Sequence, residues 1–108
     1  MANALAYVHP SESLRYIFDF TDDLTGDTTL KDIGSGSTIT ATNFAGTDVS
    51  ATILASKTRT NMTLLVTIGT LTEGQEYVVT FLGVGNTTSI PIVKTLLVLA
   101  RAKVHGGM

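Results

Sequence analysis

The aspartates gathered in the first third are the residues of this chain with the most evident chemistry. Asp19, Asp22, Asp23 and Asp27 stand close together, with Asp32 just beyond. Closely spaced carboxylates suit calcium, which takes about six to eight oxygen ligands. The spacing completes no calcium loop, however, and Gly26-Asp27 reads as the bend of a turn whose Asp side chains bond nearby backbone amides. His9 and His105 lie near opposite ends of the chain, so no Ser–His–Asp set can be built on either. Gly34-Ser35-Gly36-Ser37 and Gly83-Val84-Gly85-Asn86 lack the Lys-Ser/Thr pair and the following helix that a phosphate cradle requires, and both read as hairpin turns. Asn61-Met62-Thr63 and Asn86-Thr87-Thr88 fit the glycosylation pattern, which arises readily in a threonine-rich chain and has no secretion signal beside it here. The absence of cysteine excludes thiolate nucleophiles, cysteine zinc sites and disulfides. The chain therefore predicts no enzyme, no bound metal and no cofactor.

The balance of charge narrows the partners as well. Charged residues make up 15% of the chain and the net charge is -2, so no basic excess serves a nucleic-acid backbone. No apolar run approaches the length of a membrane span. Residues 1–6 lack a basic start and are too short for an apolar signal core. Neither nucleic acid nor membrane is an expected partner.

The elements that must position any site read as strands. The length, 108 residues, fits one domain with one core. Thr, Val, Ile and Leu dominate, and short alternating runs are broken by Gly, Asn, Asp and Ser. Residues 1–13 read as an extended arm, cut off by Pro10 and carrying the apolar Leu5, Tyr7 and Val8. The first firm strand is 14–20, with Tyr16 and Phe18 sharing one face. Strands are then expected over 28–33, 38–42 and 49–53, the last from the alternation of Val49, Ala51 and Ile53. Lys57 to Asn61 reads as a polar tip, Met62 to Ile68 alternates cleanly, and a strand from Tyr77 places Val79 and Phe81 beside it in the core with Val66 and Ile68. The last strand, from about Ile90 to Val104, is apolar on both faces at Leu96-Leu97-Val98-Leu99, so it is either covered twice within the domain or meets another chain. Residues 105–108 read as a flexible tail.

One spacing specifies the architecture further. In Leu71-Thr72-Glu73-Gly74-Gln75-Glu76-Tyr77, a tyrosine opens a strand just after a leucine and a turn glycine. In a two-sheet sandwich such a tyrosine packs its ring in the core and bonds its hydroxyl to backbone just upstream, which pins the passage from one sheet to the other. The expected fold is an all-β, Ig-like, two-sheet antiparallel sandwich of about seven strands over residues 14–104.

Taken together, Tyr16-Ile17-Phe18-Asp19-Phe20, Asp22-Asp23-Leu24, Gly26-Asp27-Thr28, Gly74-Gln75-Glu76-Tyr77, Asn86-Thr87-Thr88-Ser89 and the apolar Leu96 to Leu99 resemble small Ig-like virion proteins of tailed bacteriophages. Phe20 stands where that family often has Trp, and residues 33–44 depart from its pattern. The resemblance implies a non-enzymatic structural role on a capsid, as decoration or cement, or at a head–tail neck or fibre. It implies a protein made in the bacterial cytoplasm, located in the virion, and partnered by other virion proteins and by copies of itself. Leu5, Tyr7, Val8, Leu97 and Leu99 are the expected interface residues. A carbohydrate- or receptor-binding module of a cell-surface or adhesion protein is the competing reading. It is disfavoured by the lack of tryptophan and by aromatics that fall mainly on expected core positions.

Overall fold

The computed structural model describes the backbone of residues 2–101 and the side chains from Ala4 onward. The chain is a β-sandwich in which the strands are β1 Ala2–Val8, β2 Leu14–Asp19, β3 Thr38–Asn43, β4 Leu54–Thr60, β5 Thr63–Ile68, β6 Glu76–Val84 and β7 Pro91–Ala100, with one helical turn, α1 Ser50–Ile53. A four-stranded sheet has the order β1-β7-β6-β3 and a three-stranded sheet the order β2-β5-β4. All pairings are antiparallel except β1 with β7, which run parallel.

Alternation decides which side chains enter the core. On β5, Leu64, Val66 and Ile68 are fully buried; on β6, Tyr77, Val79 and Phe81 face them from the other sheet, and Leu96 and Val98 extend that layer on β7. The ring of Phe18 on β2 meets Phe81 on β6 edge to face at 4.8 Å between centroids, a contact that joins the two sheets. Tyr16 and Phe18 are half-buried and lean on this core, while Phe20, just past β2, is fully enclosed. Gly83 is small because Phe20 lies against it: a Cβ there would stand 2.8 Å from the ring. The sheets are joined at the expected corner. The Thr72 backbone N–H donates to the Tyr77 hydroxyl at 3.0 Å, just before the chain enters β6.

Four elements differ from the sequence reading. Residues 2–8 are a strand within the sheet: Ala4, Ala6 and Val8 point inward, Val8 is buried, and the ladder runs from Ala2 opposite Lys94 to Val8 opposite Ala100. The arm thus has a core to join within its own domain, and β7, flanked by β1 and β6, is not an edge strand. Residues 28–33 form bridges instead of a strand. Leu30 N–H donates to the Asn61 carbonyl beside the three-stranded sheet and Lys31 N–H to Val84 in the four-stranded one, so the segment ties the sheets together. Residues 50–53 turn helical because Asp48 accepts a bond from the Ser50 N–H and Ser50 Oγ engages Ala41 on β3, local bonds that displace a ladder. Lys57 to Thr60 belong to β4, whose polarity is that of an edge strand. A bulge between Ala55 and Thr58, with Ser56 at φ 53°, breaks its regularity. The expected tail, 105–108, and the expected end of the last strand beyond residue 101 lie outside the described residues.

Candidate docking face

Four of the five clustered aspartates, Asp19, Asp23, Asp27 and Asp32, are engaged by the fold. Asp27 is buried, and its carboxylate accepts from the Thr88 hydroxyl at 2.7 Å and from the backbone N–H groups of Thr87 and Thr88. The Thr88 hydroxyl, together with those amides, holds this carboxyl below the ordinary aspartate value against the opposing effect of burial. Gly85 leaves room for it, since a Cβ there would collide with the Asp27 carboxylate. Asp19 accepts from the hydroxyl and the N–H of Thr21, which lower its pKa in the same way. Asp23 pairs with Lys94 at 2.7 Å. That ammonium also donates to the Asp19 carbonyl and lies over the Phe20 ring at 5.2 Å, so an inward lysine of β7 closes one end of the core. Asp32 holds Arg59. The His9 ring bonds within its own turn, to the N–H and hydroxyl of Ser11, and His105 lies outside the described residues. Among the described residues, no group of three or more His, Asp or Glu side chains is placed to hold a metal.

What the strands do build is a surface. In a parallel ladder, partners point to the same side, so Leu5 opposite Leu97 and Tyr7 opposite Leu99 share the outer face of the four-stranded sheet. The ladder to β6 continues these rows: Val78 lies beside Leu97 and Glu76 beside Leu99, with Thr80 next to Thr95 and Leu82 next to Val93. Leu5 and Tyr7 are each 54% exposed, and Leu97 and Val78 each 38%. The outward positions of β3 add Thr38, Thr40 and Thr42. Glu76 is the only charged residue at the described outward positions of these four strands. The outer face of the three-stranded sheet is different in kind: Ile17 and Leu65 stand there between Arg15 and Asp19 on β2 and threonines on β5.

Of the five expected interface residues, Leu5, Tyr7, Leu97 and Leu99 therefore come together on one face. Val8 does not, since at 5% exposure it belongs to the core. The strand period contains this result, because Val8 follows Tyr7 and must point the other way. The sequence reading also missed Val78, whose outward position follows from the inward Tyr77 and Val79. It missed Phe44 too, which is 82% exposed in the turn after β3 and lines an open depression with Gly74, Gln75 and Glu76. A lone aromatic in a turn carries no periodic signal. No family model, curated protein or solved structure matches this chain.

Proposed function

We propose that this protein is a non-enzymatic, Ig-like structural module of a tailed-bacteriophage virion. It assembles in many copies on the capsid or at the head–tail neck or fibre, against other virion proteins and copies of itself. The observation that carries the reading is the outer face of the four-stranded sheet, where Leu5, Tyr7, Val78, Leu97 and Leu99 form an apolar surface beside Glu76. Such a contiguous surface on a small domain marks an interaction site. The strand order β2-β5-β4 against β1-β7-β6-β3, with a tyrosine corner at the crossing from β5 to β6, supports the Ig-like assignment. The motif resemblance supplies the virion context, and a core free of disulfides suits folding in a bacterial cytoplasm.

Quantitative mass spectrometry of purified particles, made from the genome that encodes the chain, tests this. The protein is expected at many copies per particle, and particles without it would overturn the reading. The exposed Tyr7 and Phe44 favour one competitor, a carbohydrate-binding module that stacks sugars on aromatics. Glycan binding abolished by Phe44→Ala, in a protein missing from particles, would establish that competitor instead.

A further inference from the structure

We propose that the occupant of the outer face is a second copy of this chain, packed sheet to sheet about a two-fold axis running along β7. The proposal rests on reading this face as an assembly surface and names its partner. Three observations support it.

The first is chemical likeness. Glu76 is the one charge among the described outward positions of these strands, so the face offers little to a strongly acidic or basic partner, whereas a second apolar sheet matches it. The second is symmetry. Leu97 and Leu99 on β7 lie in the middle of the apolar patch, with Leu5 and Tyr7 on one side and Val78 and Glu76 on the other. An axis along β7 lays β1 of one copy over β6 of the other. Leu5 then covers Val78 of the second copy, and Tyr7 stands over Glu76 of the second copy, where the phenol can donate to that carboxylate. The third is size. About this axis β1, β7 and β6 overlap and β3 lies outside; with strands about 4.8 Å apart and about 3.4 Å per residue, these strands of 7, 10 and 9 residues give a flat area on the order of 400 Å². Raised side chains increase the accessible area, which places the contact among the smaller, reversible interfaces and agrees with a dimer that dissociates on dilution.

Sedimentation of the full chain over a range of concentrations, with variants, tests this. The wild type is expected at twice the chain mass, dissociating on dilution, and Leu97→Asp is expected to weaken the dimer about 30-fold or more. Tyr7→Phe and Glu76→Ala each weaken it several-fold, and in combination no more than either alone. Tyr7 and Glu76 sit on β1 and β6, separated by β7, so coupling between them must act across the two copies. A wild type monomeric at every concentration overturns the proposal. So does additivity of Tyr7→Phe and Glu76→Ala, which would mean a different docking. A dimer that survives Leu97→Asp but is lost on deleting residues 2–8 would mean exchange of β1 instead. If the free protein is monomeric while Leu97→Asp still abolishes entry into particles, the assembly-surface reading stands and the second copy is excluded.

Discussion

A tyrosine hydroxyl and a buried carboxylate each hold a connection of this sandwich in place. The Tyr77 hydroxyl accepts from the Thr72 N–H, so Tyr77→Phe keeps the ring and is expected to lower stability by about 1 kcal/mol in a denaturant titration. Phe81→Ala removes a fully buried ring at the contact between sheets and is expected to cost about 3–5 kcal/mol. Phe18→Ala is expected to cost less, because that ring is only half-buried; equal losses would contradict this ranking. Asp27 makes stability depend on acid. Its folded-state pKa lies below the ordinary value, so its contribution is complete above the ordinary carboxylate range and is lost as pH falls through the lowered value. The melting temperature is expected to be level from neutral pH to about 5 and to fall below about 4. Asp27→Asn should lower it at neutral pH and shrink that acid-induced fall. An unchanged acid limb would show that the bonds to Thr87 and Thr88 are not what holds this carboxyl down. The Tyr77 corner was legible because its donor lies five positions upstream. The role of Asp27 was not, because its partners lie some sixty positions away and only the folded turn brings them near.

At the scale of elements, the strands with long, clean alternation were readable: β5, β6 and the inward half of β7 stand where the two-residue period puts them. The failures have physical causes. Val49, Ala51 and Ile53 alternate over too short a run to outweigh the local bonds of Asp48 and Ser50. β4 is polar because it is an edge, and polarity alone resembles a loop. β1 alternates well, but its partner is the last strand, and a parallel pairing between the two ends of a chain leaves no local mark. Its membership of the fold is measurable. Deleting residues 2–8 removes the buried Val8 and opens the β7 backbone to solvent, so the melting temperature is expected to drop more than in Val8→Ala. An unchanged melting temperature would return the segment to the status of a loose arm.

At the scale of the whole molecule, the two sheets present different surfaces. The three-stranded sheet shows solvent a mixed face with Arg15 and Asp19, while the described outward positions of the four-stranded sheet carry one charge, Glu76. Leu5, Tyr7, Val78 and Leu97 gather apolar exposure on that one sheet, the kind of surface that the proposed assembly would cover. Four of the five residues expected at an interface lie on that face because two strands from opposite ends of the chain run side by side. The sequence could supply the residues but not that adjacency. The most direct measurement is the amount of protein incorporated into purified particles for two surface variants of similar size and charge. Leu97→Asp alters the outer face of the four-stranded sheet, and Ile17→Asp, at a site 53% exposed, alters that of the three-stranded sheet. Both are expected to fold, with Leu97→Asp lost from particles and Ile17→Asp retained as wild type. Full incorporation of a folded Leu97→Asp protein would contradict the assignment of this face.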